Sequence, residues 1–190
     1  MQQGDEDRRL MRAVRDGDAS AFDALFQRWS GRLLRYLERI VRDPAVAEEL
    51  AQETFLRVHR AREKWEPSAR FSTWLYTIAT NLALNELRRP FRRSPHHSTD
   101  TAPEERGAAP ELADAAPAPD EVAHARRVAA EVDAVLAELP ERQRAALWLT
   151  AVEGLSYVEV AASLETSPQS VKALVHRGRS ALAERMAEAG

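Results

Sequence analysis

The stretch that decides the fold is Ser156–Leu182, SYVEVAASLETSPQSVKALVHRGRSAL. Ser156 and Glu159 stand three residues apart, the spacing of a capping box, in which each side chain satisfies the other's free backbone N–H at a helix start. The short helix that follows is predicted to bury Tyr157, Val160, Ala161 and Leu164. Ser167-Pro168-Gln169 then starts a longer helix, because serine caps and proline suits the first helical position. Its inner face reads Val171, Leu174, Val175, Gly178 and Leu182. A short helix, a tight turn and a longer helix make a helix-turn-helix.

The outer face of the long helix is basic. Lys172, His176 and Arg179 recur at spacings of four and three, with Ala173 and Arg177 beside them and Ser167, Gln169 and Ser170 at the helix start. In a helix-turn-helix, such a face is the one that enters the major groove. Arginine can pair bidentately with guanine, while lysine and the N–H groups of a helix start hold phosphates. The plainer alternative is a solvated basic face on a structural helix. The capped helix and tight turn just ahead favour DNA.

Working outward, Glu121–Glu138 is Ala-rich and predicted helical, and another helix follows Leu139-Pro140 and stops at Gly154. Residues 93–120, by contrast, are rich in proline, alanine and acids and lack aromatic residues. A segment of that kind buries too little apolar surface to offset its ordering entropy, so it reads as a flexible acidic linker. The chain accordingly divides into residues 1–92, a linker over 93–120, and residues 121–190.

The first block is helical throughout. Leu10 and Val14, then Phe22, Leu25, Phe26, Trp29, Leu33, Tyr36, Leu37 and Ile40, form an apolar stripe broken at Gly17-Asp18. Asp43-Pro44 restarts a helix whose buried face is predicted as Ala47, Leu50, Ala51, Thr54, Val58 and Ala61. A loop over Lys64–Arg70 leads to a helix from about Ser72 to Arg89, ended by Pro90. No period-two run marks a strand, so the fold class is all-α: two small helical domains joined by a flexible linker.

Two further constellations lie in the first block. Lys64, Trp65, Arg70, Phe71, Trp74, Asn81, Arg88 and Arg89 interleave aromatics with cations, and Arg60, Arg62, Tyr76, Arg92 and Arg93 extend the series. Unpaired bases stack on aromatic rings, so this mixture suits single-stranded DNA better than duplex. The alternative is that Trp74 and Tyr76 are simply core. Glu48, Glu49, Gln52 and Glu53 share one helix face. An acidic face repels phosphate, and near basic surfaces it fits a docking site for a basic protein partner.

Composition sets the outer limits. The net charge of −3 confines any nucleic-acid role to local patches. The absence of cysteine excludes disulfides, thiolate metal sites and thiol nucleophiles, and it fits a reducing cytoplasm. No apolar run approaches the length of a membrane helix and the N-terminus lacks a signal-peptide pattern, so a cytoplasmic protein without membrane insertion is expected. There is no metal-spaced cluster, no Gly-rich phosphate loop and no convincing triad, so neither an enzyme nor a cofactor or metal is expected. His96-His97, in a Pro-flanked stretch, read as solvated.

The same residues carry a resemblance. Asp43–Arg60, DPAVAEELAQETFLRVHR, resembles the polymerase-binding segment of bacterial sigma factors. Phe71–Arg89, FSTWLYTIATNLALNELRR, resembles the segment that melts and reads the minus-ten promoter element. Leu139–Leu182 resembles the domain that binds the minus-thirty-five element. The order and spacing are similar to the extracytoplasmic-function group of the sigma-70 family. The resemblance implies roles. Glu49, Gln52 and Glu53 match positions that grip the beta-prime coiled coil of core RNA polymerase, whose beta subunit is also an implied partner. The loop from Trp65 to Phe71, with Asn81, matches a pocket for a flipped base, and Lys172, His176, Arg177 and Arg179 match the recognition helix. It further implies promoter DNA and an anti-sigma factor as partners. Thr77-Ile78 stand where primary sigma factors carry adjacent tryptophans, which implies weaker intrinsic melting. The competing reading is a helix-turn-helix repressor acting without polymerase, which would need a dimer interface to span two half-sites.

Overall fold

The computed structural model describes residues 2–66, 70–89 and 132–189, and every element in them is helical. The acidic linker, Arg92, Arg93, His96, His97 and most of the helix predicted over Glu121–Glu138 lie outside these residues.

Local chemistry sets the breaks. Helix α1 (Gln2–Arg15) ends ahead of Gly17, whose positive φ of 97° suits glycine. The Asp18 carboxylate then accepts the N–H groups of Ser20 and Ala21 at 2.9 and 3.3 Å and starts α2 (Ala19–Val41). Arg42 ends α2 in the left-handed conformation, φ 60°. Asp43 caps α3 (Pro44–Arg60) through Ala45 and Val46, as the Asp-Pro pair predicts. A 3-10 turn over Arg62–Lys64 leads toward α4 (Phe71–Leu87). That helix starts one residue earlier than the sequence suggests and ends at Leu87, ahead of Pro90.

The core of this half is the stripe of α2: Leu25, Trp29, Leu33, Tyr36, Leu37 and Ile40 are buried. Edge-on aromatic pairs hold α4 against it, with ring centres 5.9 Å apart for Trp29 and Phe71 and 5.2 Å for Tyr36 and Tyr76. The buried hydroxyls of Tyr36 and Thr80, 2.6 Å apart, satisfy each other across the same joint. Tyr76 is therefore core. Phe26, expected in the stripe, is 44% exposed: it sits at the α2–α3 edge, with its ring 4.8 Å from that of Phe55.

In the second half, α5 (132–138), α6 (Glu141–Ala151), α7 (Tyr157–Ser163) and α8 (Pro168–Ala189) close around Leu147, Leu149, Leu155, Val160, Leu164, Val171 and Val175. The capping box forms as read, with Glu159 Oε2 accepting the Ser156 N–H at 2.8 Å and Ser156 Oγ accepting the Glu159 N–H at 3.3 Å. Tyr157 corrects the sequence reading. As the first residue of α7 it turns outward, 37% exposed, while Val160, Ala161 and Leu164 of the expected set face inward.

The two halves touch along a seam. Arg144, buried, donates to the carbonyls of Leu136 and Ala137 at the end of α5 and of Ile40 at the end of α2, at 3.0–3.3 Å. One guanidinium thus satisfies helix-end carbonyls from both halves. Arg42 also donates to the Ala137 carbonyl at 3.0 Å, and Arg39 pairs with Asp133 while lying over the Trp148 ring. Between these groups remains a cavity of about 430 Å³, lined by Glu38, Arg42, Asp133, Leu136 and Arg144 among others.

Candidate nucleic-acid interface

Three faces emerge from this scaffold, and the clearest belongs to α8. Ser167 Oγ accepts the Ser170 N–H at 3.1 Å, so the cap forms and the helix starts where the sequence places it. Val171 and Val175 are buried, and that packing turns Lys172, Ala173, His176, Arg177 and Arg179 outward, all exposed. Ser167, Gln169 and Ser170 are exposed at the helix start. Among the described residues Lys172, Arg177 and Arg179 form no ion pair. Cations held free on a rigid helix, beside a helix start with open N–H groups, can meet phosphate and base edges together.

The second face is the start and outer side of α4, and here the expected set divides. Trp65 and Phe71 are core side chains, 2% and 1% exposed. Phe71 opens α4 directly over Trp29, and Trp65, which follows the 3-10 turn, is turned inward. Trp74 is half-buried against Phe71, with ring centres 6.5 Å apart. Lys64, Arg70, Arg88 and Arg89 are exposed, the last 3.2 Å from Glu86. Asn81 is half-buried and its amide donates to Glu165 Oε1 at 3.0 Å.

That last bond belongs to a set that sequence reasoning missed. Helix α7 and its turn lie on α4. Thr73 donates to Glu159 Oε1 at 2.8 Å, the Thr77 and Ser163 hydroxyls are 2.9 Å apart, and Arg70 Nε lies 3.8 Å from Glu159. Burial works against the Glu159 carboxylate. The Ser156 N–H and hydroxyl, the Thr73 hydroxyl and Arg70 outweigh it and hold the carboxyl below its ordinary range. Nearby, the Glu153 side chain, 3% exposed, pairs with Arg32 at 3.1 Å and accepts the Trp148 indole N–H at 3.3 Å. Burial first, and then the charge of Glu153, push the Tyr76 hydroxyl far above the phenol range. No local signal in the sequence points to the contacts that α4 and Arg32 make with the second half, since they join residues more than 80 positions apart.

The third face is acidic. Glu49 and Gln52 are exposed on α3, while Glu53 is half-buried and accepts from Arg57 Nε at 2.7 Å, one helical turn on. Leu56 on the same helix is 49% exposed, so an apolar element joins the acidic face. Among the described residues there is no group of three acidic, histidine or cysteine side chains able to hold a metal, and no helix long and apolar enough to cross a membrane.

Comparison with known proteins follows the same division. The sigma-70 region 2 family matches residues 25–93, and the sigma-70, region 4 family matches residues 129–182. The RNA polymerase sigma factor CarQ of Myxococcus xanthus is 39% identical over 178 residues, covering 94% of this chain and 96% of the relative. The ECF RNA polymerase sigma-E factor of Escherichia coli is 31% identical over 93% of this chain and 92% of its own. Among solved structures, CnrH in complex with the cytosolic domain of CnrY has the same fold, with a TM-score of 0.69, 24% identity and coverage of 97% of this chain and 99% of its own. The helix-turn-helix with its free cations and the acid-faced α3 therefore sit in a chain that belongs to the extracytoplasmic-function group of the sigma-70 family of sigma factors.

Proposed function

We propose that this sigma factor binds core RNA polymerase through the α3 face and directs transcription from promoters that it reads at two elements. Glu49, Gln52 and Glu53 present carboxylates and an amide to a basic coiled coil of the beta-prime subunit, with Leu56 beside them. Lys64, Arg70, Trp74, Asn81, Arg88 and Arg89 contact the minus-ten element as it melts, beside the buried rings of Trp65 and Phe71. In α8, Lys172, His176, Arg177 and Arg179 read the minus-thirty-five element, with Ala173 packed toward the groove and Ser167, Gln169 and Ser170 at the phosphates. Residues 1–92 and 121–190 act as two domains and 93–120 as their tether, in the cytoplasm and without chemistry of their own.

The observation that carries this reading is the coexistence, in one chain of this family, of an acidic exposed helix face and a helix-turn-helix with unpaired cations. A DNA-binding module alone has no use for the first. Control by an anti-sigma factor is part of the proposal. It is supported by a relative of the same fold, the sigma factor RpoE of Bartonella quintana, solved with the anti-sigma factor NepR, with a TM-score of 0.63 and 21% identity over 87% of this chain and 96% of its own. The test is to add the full chain to bacterial core polymerase with genomic fragments and sequence the transcripts. New starts that share two upstream elements are expected. Duplex binding by a dimer of the chain, with no new starts, would support the repressor reading instead.

A further inference from the structure

We propose that the duplex-reading surface has one more member, outside the helix-turn-helix itself: Arg142, in the first turn of α6, grips a backbone phosphate of the upstream promoter element beside the start of α8. The inference rests on the reading of α8 given under Proposed function and adds a contact to it.

Placement is the first argument. Arg142 Nη2 donates to the Leu164 carbonyl at 2.6 Å. Leu164 is buried and ends α7, and three residues on Ser167 caps α8 by accepting the Ser170 N–H. The guanidinium is therefore anchored at the turn between the two helices. In a helix-turn-helix the first helix crosses the DNA backbone and the second enters the groove by its start. The turn that joins them lies at the groove edge, so a cation fixed there meets phosphates rather than base edges.

Unused bonding capacity is the second. A guanidinium carries five N–H groups in a fixed fork, and the Leu164 carbonyl takes one of them. Among the described residues Arg142 has no other partner, and its remaining nitrogens are reached by solvent. Its acidic neighbours leave the charge uncompensated. Glu141, next to it in α6, forms no ion pair with it, and Glu165 accepts from Asn81 instead. Arg144, two residues on, shows what a structural arginine looks like in the same helix. It is buried and bonds the carbonyls of Leu136, Ala137 and Ile40. Arg142 is half-buried and holds one carbonyl, with the rest of its fork facing no protein acceptor.

Rigidity is the third. A long cation ordinarily loses side-chain freedom when it grips an anion, and that loss weakens the contact. The bond to Leu164 has already fixed this side chain, and a planar fork presents its free N–H groups in the geometry that phosphate oxygens accept. One group then holds both the turn and the strand, which ties the approach of α8 to the backbone it lies against.

The test uses holoenzyme formed with the full chain on a promoter recovered by transcript mapping. Affinity is measured across a salt series for the unaltered chain, Arg142→Gln and Arg142→Lys. Loss of one phosphate contact should make the log–log salt dependence of Arg142→Gln shallower by about 0.9, with all upstream sequences weakened alike. Arg142→Lys keeps the charge and should keep the slope. Single methylphosphonate replacements along the upstream element give a second readout. At one phosphate the replacement should weaken the unaltered chain severalfold and leave Arg142→Gln indifferent. Circular dichroism checks that the variants fold, and Arg142→Met, which retains the apolar stem, replaces Arg142→Gln if that chain unfolds. A residue that only braces the turn would relax base preference or lower the melting temperature and leave both the salt slope and the methylphosphonate pattern unchanged. That result would overturn the proposal. A holoenzyme with no preference for any upstream sequence would instead count against the reading of α8, while the salt series and the phosphate scan would still decide whether Arg142 touches the backbone.

Discussion

Helices α4 and α8 are both assigned to DNA, and they are built in opposite ways. α8 packs one stripe, Val171 and Val175, and leaves Lys172, Arg177 and Arg179 exposed and without an ion pair among the described residues. α4 is enclosed on several sides: Phe71, Leu75, Tyr76, Ala79, Thr80, Ala83 and Leu84 are buried, and Thr73, Thr77 and Asn81 are bonded to α7 and the turn that follows it. A helix that reads intact duplex needs only a rigid support and a free face. One that reads a melted strand must hold its donors in place until the strand appears, and a protein surface that satisfies those donors meanwhile avoids leaving them bare. Binding residues on α8 are thus separable from stability, whereas on α4 the two are entangled.

The sharpest way to break that contrast is at the aromatic floor of α4. Trp65→Ala should destabilise the protein by about 3–5 kcal/mol, the cost of emptying a buried aromatic site, whereas Arg177→Ala should stay within about 0.5 kcal/mol. Thermal denaturation followed by circular dichroism compares them. A mild Trp65→Ala variant that folds normally yet fails to open promoters would instead make that ring a base contact.

Asn81→Ala should impair open-complex formation by roughly 1–3 kcal/mol while leaving closed-complex binding intact, because capture belongs to the unstacked base. Permanganate footprinting of the mapped promoter reads this directly, and normal reactivity would remove Asn81 from the site. On α8, Arg177→Ala should cost ~1–3 kcal/mol and relax preference at one upstream position. Lys172→Ala should weaken all sites alike and shallow the salt dependence. Selection from randomised upstream elements separates the two, and unchanged selectivity in both variants would dissolve the contrast.

Smaller effects sharpen it further. Glu53→Lys removes a carboxylate and also unpairs Arg57, so core-polymerase affinity should fall by about 1 kcal/mol or more at unchanged helical content. A core titration measures it. The smallest effect concerns Asp7, buried 3.1 Å from Arg28 beside the cavity that Trp29, Arg32, Arg70, Phe71 and Glu153 also line. Burial holds its carboxyl above the ordinary range. For a carboxyl with a raised value, the folded state favours the proton, so its contribution is full below the ordinary aspartate range and is lost as pH rises through the raised value. Asp7→Asn should therefore flatten the pH dependence of the melting temperature above the ordinary aspartate range and leave neutral-pH stability equal or higher. A steeper pH dependence in the variant would show that the Arg28 pair dominates instead.

What the sequence determined by itself was everything local. Asp18, Asp43, Ser156 and Ser167 each cap the helix they precede, the capping box closes as its spacing requires, and the 3.6-residue stripes of α2, α3 and α8 mark their buried faces. Caps and stripes are legible because both partners lie within four residues. The outward cations of α8 followed from the same periodicity, since burying Val171 and Val175 leaves Lys172, His176 and Arg179 no other side to occupy. Periodicity misjudged only the margins: Phe26 lies at the edge of its stripe, and Tyr157, the first residue of α7, is 37% exposed. Tertiary structure alone decided the rest. Whether Trp65 and Phe71 stack on a base or on Trp29 depends on which surface lies opposite, and the same ring chemistry serves both. That Arg144 joins the ends of α2 and α5, that Glu153 meets Arg32, and that Glu159 and Glu165 lie on α4 follow from how two halves far apart in the chain pack together. A carboxylate in sequence is equally a solvated charge, a cap or a substitute for phosphate, and only the donors that the fold brings within hydrogen-bonding distance select among them.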